Sequence, residues 1–369
     1  MWFDGKGFIK DFYYKDKLKI KEFIKIEGLL SGGTYVMSFY EMLPLCILDV
    51  YTFAGSAVWI VDRAFVTESV IEQPVKGYMM GGSTGFLGDE SYLSVIDGIV
   101  FAGESTFGLS VTLSVIRGWL AGVNSSTRGY AMGGQNSGGY SNEIDGIQFS
   151  DESAINPSAT LSVARGHLAG TNSLSRGYAM GGENSGDYSN EIDGIQFSNE
   201  SAINPSTALS IARTSLCGVN SSEKGYAMGG YDGGVLDRID GIRFSDESAV
   251  NVYVTLSVAR HWLTGVNSSE KGYAMGGENI GGDTSEIDGI RFRDESAINP
   301  EASLSVSRVA PTGVNSSIRG YAMGGYLSGY GNTSEIDGII FYDDSAVNPS
   351  SILIWSRGTG AGCQSGGIL

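Results

Sequence analysis

The sequence predicts an all-β fold, a seven-bladed β-propeller with four short strands per blade, and three internal repeats carry that prediction. A Gly-Tyr-x-Met-Gly-Gly phrase recurs with tyrosines at Tyr78, Tyr130, Tyr178, Tyr226, Tyr273 and Tyr321, in steps of 52, 48, 48, 47 and 48 residues. An Ile-Asp-Gly-Ile-x-Phe phrase recurs around Asp97, Asp145, Asp193, Asp240, Asp288 and Asp337. An arginine closes a Leu-Ser-Val-Ala-Arg-like run at Arg63, Arg117, Arg165, Arg213, Arg260, Arg308 and Arg357. Degenerate copies at Tyr35-Val36-Met37 and Leu48-Asp49 bring the count to seven. A period near 48 residues is that of a propeller blade.

Each unit reads as four strands, a to d. In one copy these are Leu168 to Ser173, Tyr178 to Met180, Ile192 to Phe197 and Thr207 to Ala212. Strand a ends in an Asn-Ser turn signal, and two glycines close strand b. Asp-Gly between apolar residues is also a hairpin signal. The first unit has Asp49-Val50 there, and a β-branched valine suits a primed turn badly, so Asp-Gly is placed inside strand c. No stretch shows a helical period of useful length.

The first unit begins near Thr34 without a strand a. The tail from Gly358 to Gly367 matches strand a, with Gly362 five residues after Arg357, as Gly170 follows Arg165. The C-terminus is therefore expected to supply the missing strand of the first blade, beside Tyr35, and so remove an open edge. The propeller is assigned to residues 33–369.

Residues 1–32 do not repeat and hold seven lysines and five acids. Lys17-Leu18-Lys19-Ile20-Lys21 alternates as an exposed ribbon would. This segment reads as a docking arm onto a protein assembly, or as a strap over the propeller.

Composition narrows the function. Of 369 residues 41% are hydrophobic and 18% charged, with a net charge of −17. An acidic chain without a Lys/Arg cluster argues against nucleic acid as partner. The uncharged run from Val50 to Val61 is too short to insert into a membrane. Three cysteines make no disulfide framework, and two histidines leave a zinc site without ligands, so no metal and no cofactor is expected. The N-terminus lacks the pattern of a signal peptide, so synthesis in the cytoplasm is expected.

The units resemble the kelch repeat family, through Arg165, Tyr178-x-Met180-Gly181-Gly182 and Phe197, over about residues 33 to 369. The family's tryptophan between strands c and d is absent. The resemblance implies a β-propeller that usually serves as a binding module. The Tyr-Ala-Met-Gly-Gly and Ile-Asp-Gly-Ile wording is also similar to propellers of tailed-phage virion proteins. A galactose oxidase-like copper enzyme is the other possibility within the kelch fold. His167 and His261 fall in non-adjacent blades, so that activity does not carry over.

Length varies almost only between strands b and c, and side chains vary just after the arginine. In an up-and-down blade these positions share one face, which gathers Tyr92, Trp119, Tyr140, His167, Tyr188, Tyr231, Trp262, Tyr326 and Tyr330 as candidate ligand-binding residues. Exposed aromatics among Gly, Ser and Asn suit sugar rings or a protein surface. The bland alternative is unconstrained loop drift. The aspartates Asp49, Asp97, Asp145, Asp193, Asp240, Asp288 and Asp337 and the seven arginines are read as a structural ring. An unpaired buried charge is too costly to repeat in every blade. The acid-rich c–d loops, such as Asp246-Glu247, are expected to face Arg128, Arg176, Lys224, Lys271 and Arg319 as solvated pairs. The histidines read as surface groups, and no catalytic residue is assigned. The expected function is a non-enzymatic binding or structural propeller. The expected setting is a virion, as a tail or capsid decoration that recognises a host-surface glycan or protein. A cytosolic kelch-like protein-interaction scaffold is the alternative.

Overall fold

The computed structural model describes residues 11–13, 19–21, 50–52, 59–61, 75–85 and 91–365. The chain divides into two units, Met1–Glu72 and Gln73–Leu369. Within the first, Asp11–Tyr13 pairs antiparallel with Lys19–Lys21, and Val50–Thr52 with Trp59–Val61. Tyr35, Asp49 and Arg63 lie outside the described residues.

The second unit is all-β among its described residues, a propeller arrangement of six four-stranded antiparallel sheets, not seven. The third sheet is representative: Ala169–Asn172, Arg176–Met180, Ile192–Gln196 and Ser201–Ile203, in spatial order. Asp193-Gly194 lies inside strand c, paired with Ala179 and Tyr178. Strand d is Ser201–Ile203 and not Thr207–Ala212. Asn204-Pro205 ends it, because proline cannot donate to a ladder. The Thr207 to Ala212 run instead descends beside the next sheet, with Leu209 buried. Ser210 there gives its N–H to Asp240, in strand c of that sheet.

The tail joins as an inner strand, but in another place than beside Tyr35. Ala361–Gln364 pairs with Gly77–Met80, so it belongs to the sheet of Tyr78. Arg357 goes with it and pairs with Asp97 of that sheet. The physical reason is the glycine at the middle of each strand a. A Cβ built on Gly170 would fall 2.2 Å from the Gly122 carbonyl oxygen, and one on Gly218 would fall 2.0 Å from that of Gly170. The same close approach links Gly265 to Gly218, Gly313 to Gly265, Gly362 to Gly313 and Gly122 to Gly362. Six strands meet backbone to backbone, and Gly362 is the sixth contributor. No side chain fits there.

Between sheets the core is repeated. Tyr130 stacks on Phe197 of the next sheet at 5.6 Å, and Tyr178, Tyr226, Tyr273 and Tyr321 make the equivalent contact. Buried Met180, Ile192, Leu209 and Leu216 fill the space toward Ala227 and Ile242 of the following sheet.

Candidate functional site

The two faces of the propeller are built differently. On one, the turn between strands c and d places an acid in the left-handed region, at Glu104, Glu152, Glu200, Glu247, Glu295 and Asp344, with φ from 48 to 59°. Each acid reaches the preceding sheet. Glu200 takes the Arg128 guanidinium at 2.6 Å and the Tyr130 hydroxyl at 3.1 Å. Glu247 does the same with Arg176 and Tyr178, Glu295 with Lys224 and Tyr226, and Asp344 with Lys271 and Tyr273. Glu152 closes on Lys76 and Tyr78, and Glu104 on Arg319 and Tyr321. Burial pushes the Tyr130 and Tyr178 phenols up to about 12. These pairs are half-buried clasps between sheets rather than freely solvated charges.

Under the opposite face lie the arginine–aspartate pairs, six among the described residues. Arg308 meets Asp337 at 2.8 Å and Arg357 meets Asp97 at 2.6 Å. Arg117–Asp145, Arg165–Asp193, Arg213–Asp240 and Arg260–Asp288 repeat the contact. All twelve side chains are buried. Each arginine also donates to a strand-b carbonyl, as Arg213 does to Ala227 at 3.1 Å. In five pairs a serine N–H and hydroxyl complete the aspartate, as Ser162 does for Asp193. The sixth has Ile354 at that position.

Beyond the arginine the chain crosses the b–c loop through paired bridges: Gly118 with Gln135, Gly166 with Glu183, Thr214 with Tyr231, His261 with Glu278 and Val309 with Tyr326. These bridges hold the b–c loops and the residues after each arginine on one face. The next residue is left-handed in every copy. Trp119, His167, Ser215, Trp262, Ala310 and Thr359 have φ between 52 and 63°. Their backbones close a circle: each N–H donates to the carbonyl of the residue before it around the mouth, at 2.6 to 3.0 Å, with Trp119 donating to Thr359. Left-handed backbone is strained for such side chains, and this circle of six bonds holds it.

The side chains at the mouth form one aromatic layer. His167 stacks on Trp119 at 4.0 Å, Trp119 stands 6.4 Å from Trp262, and Trp262 lies 4.0 Å from His261. His261 meets Tyr231 at 5.4 Å, and Tyr231 meets Tyr188 edge-on at 6.0 Å. Of the nine candidate residues, the structure thus joins Trp119, His167, Tyr188, Tyr231 and Trp262. Tyr92 and Tyr140 pack over Gly118 and Gly166. Tyr326 sits in its b–c hairpin, and Tyr330 stands out at 90% exposure. Sequence reasoning left out His261. It also read the histidines as surface groups, whereas both are packed in the layer. Trp119 is 6% exposed, so it is packing rather than a platform. The open aromatic surface is at Tyr188 and Tyr330.

Beside this layer is a cleft of about 540 Å³ between two b–c loops, lined by Tyr140, Glu183, Asn184, Asp187 and Tyr188. The Tyr140 hydroxyl donates to Glu183 at 2.5 Å. Burial drives the His167 imidazole down to about 3, with His261 adding to the effect. Glu183 lies 3.5 Å from His167 Nε2 and opposes it, but it is shared with Tyr140 and partly solvated. The neutral ring is therefore the folded form, while the unfolded chain takes up a proton near 6.5. Stability is expected to fall as pH drops below about 6.5, continuing toward about 3, by up to about 1.4 kcal/mol per pH unit. Thermal melts from about pH 7 to about pH 5 check this. A His167→Gln variant with an unchanged pH slope would contradict it.

The same region aligns Ser215 Oγ 3.5 Å from His167 Nδ1, with Glu183 on Nε2, an arrangement sequence reasoning did not find. Both contacts are long. The N–H groups of Ser215 and Trp262 are committed to the circle, so they offer no oxyanion hole.

No family model matches the chain, and no curated protein matches it. The propeller is similar to the solved structure of YjhT, with a TM-score of 0.60 at 11% identity, covering 74% of this chain and 97% of that one. At that identity the likeness carries the fold alone.

Proposed function

We propose that this is a non-enzymatic binding propeller whose b–c face recognises a saccharide on a target surface. The observation that carries the reading is the division of the faces. One is repeated six times by the same acid–tyrosine–cation clasp, while the other alone varies and holds the aromatic layer and its cleft. Tyr188 offers a ring for a sugar face, and Glu183, Asn184 and Asp187 offer acceptors and an amide for hydroxyls. The two carboxylates favour a neutral or amino sugar over an acidic one. Residues 1–32 act as the docking arm in this reading. A virion tail or capsid is the assembly it joins, with the target on a host cell.

The test is a glycan array and a cell-adsorption assay with Tyr188→Ala and Tyr330→Ala. Each is expected to weaken binding at least tenfold, about 1.4 kcal/mol, with melting unchanged. Leu174→Ser and Ile318→Ser, exposed on the a–b turns of the other face, are expected to bind normally. The reverse pattern would put the recognition face on the wrong side. Covalent labelling of Ser215 by a fluorophosphonate would overturn the non-enzymatic part.

A further inference from the structure

Five of the six sheets end in an outer strand of two or three residues, whereas the sheet of Tyr78 ends in one of eight, Ser105–Thr112. The reason is local. In four of those five an Asn-Pro pair stops the outer strand, at Asn156-Pro157, Asn204-Pro205, Asn299-Pro300 and Asn348-Pro349. Gly108-Leu109 stands at that place here, so the ladder with Ser91–Val100 runs on to Thr112. The long strand is the last of its sheet, and its outward N–H and C=O groups bond to no further backbone among the described residues. Phe107, Leu109 and Val111 pack on the core, while Ser105, Gly108, Ser110 and Thr112 are exposed. The chain crossing from the neighbouring sheet lies beside this strand: a Cβ built on Gly108 would fall 3.0 Å from Ile354 Cδ1. Ile352, Ile354 and Trp355 of that crossing are 53 to 55% exposed, where an earlier unit has Thr160, Ser162 and Val163. Native sheets protect an outer edge by brevity, proline or charge. This edge has none of the three, since residues 105–116 hold no Pro, Asp, Glu, Lys or Arg.

We propose that this edge is a homodimer interface, in which Ser105–Thr112 pairs antiparallel with the same strand of a second copy of this chain about a twofold axis. The strand is its own complement. A register centred on Leu109 sets Leu109 against its own image, Phe107 against the partner's Val111 and Gly108 against the partner's Ser110. Apolar then meets apolar on one face of the joined sheet and small polar meets small polar on the other, the pairings that stabilise adjacent strands. A twofold interface places each patch against itself. On a chain of net charge −17 much of the surface repels its own image, but no like charges oppose one another along this strand. That match to itself is what selects a second copy over a foreign strand. An axis normal to the sheet keeps each face on its own side, so the Ile354–Trp355 patches of both copies flank the join together. Eight residues span about 27 Å, and a join of that length lies toward the small end of specific interfaces, about 1,000 Å². Dissociation in the micromolar range is expected.

The experiment is analytical ultracentrifugation of the full chain from about 1 to about 100 µM, where a monomer–dimer equilibrium is expected. Gly108→Asn/Leu109→Pro writes into this sheet the Asn-Pro that ends the outer strand in four others, and is expected to weaken the dimer at least tenfold. Ser110→Lys is the second variant. It places a lysine on the exposed row of the edge, with the same loss of dimer expected and melting of the monomer unchanged. Hydrogen exchange across residues 105–112 is expected to slow as the concentration of the parent chain rises, and not to change with that of Ser110→Lys. A parent chain that stays monomeric at about 100 µM, a dimer that both variants keep, or protection that appears only elsewhere would each overturn the proposal.

Discussion

A chain truncated after Arg357 is expected to lose cooperative folding of the propeller. The deleted segment holds Ala361–Gln364, the inner strand of the Tyr78 sheet. It holds Gly362, which abuts Gly313 on one side and is abutted by Gly122 on the other. It also holds Thr359, whose N–H and carbonyl are two links in the circle at the mouth. Cys363, buried beside Gly129, would leave a void against Phe149. Removing this terminal strand of the sheet therefore exposes the edge of Gly77–Met80, whose side chains Tyr78, Met79 and Met80 are core. The whole stability of a domain is about 5–15 kcal/mol, and this loss approaches it. Circular dichroism melts and gel filtration check the outcome. A truncated chain that melts as one cooperative monomer near the full-length temperature would contradict it.

Breaking one arginine–aspartate pair is expected to have the next largest effect. Asp193→Ala removes the buried counter-charge of the Arg165 guanidinium beside Ala179, leaving it only the half-exposed Glu191 at 3.8 Å, and strands the Ser162 N–H. Loss of one partner of a buried pair costs about 3–5 kcal/mol. For a domain of this size that is roughly 6–12 °C of melting temperature. The double replacement Arg165→Met/Asp193→Leu is expected to recover much of the loss, because no charge stays buried. Binding to the target per folded molecule should be unchanged, since the pair lies beneath the recognition face. If Asp193→Ala melts as the parent does, the pair is not holding the sheets.

Much of this architecture was legible in the sequence because each unit repeats the same physical solution. Tyr178, Met180, Asp193 and Arg165 mark strand b, strand c and the chain crossing between sheets, and spacing alone places them. The outer strand was not legible. Ser201-Ala202-Ile203 is three residues long, shorter than any alternation signal, while Thr207 to Ala212 alternates and is not a strand. Six four-stranded sheets stand among the described residues, and the degenerate landmarks at Tyr35, Asp49 and Arg63, counted as a seventh blade, lie outside them. Their irregular spacings, 14 residues from Asp49 to Arg63 where the other units have 20, and 15 from Arg63 to Tyr78 where the others have 13, were the available warning. The aromatic face was found from internal variation. The packing of Trp119, His167 and His261 was not, because it depends on left-handed backbone at Trp119 and Trp262 that no residue type announces. For the same reason Trp119→Ala and Trp262→Ala test packing as well as binding, and Tyr188 and Tyr330 are the cleaner probes.

The central claim is that ligand meets the b–c face. Hydrogen exchange of the propeller with and without a glycan-bearing target surface measures it directly. The account predicts slowed exchange in the loops around residues 135–142, 183–190 and 326–333, with the c–d turns around 150–153 and 198–201 unchanged. Protection confined to those turns, with the b–c loops exchanging as before, would contradict it.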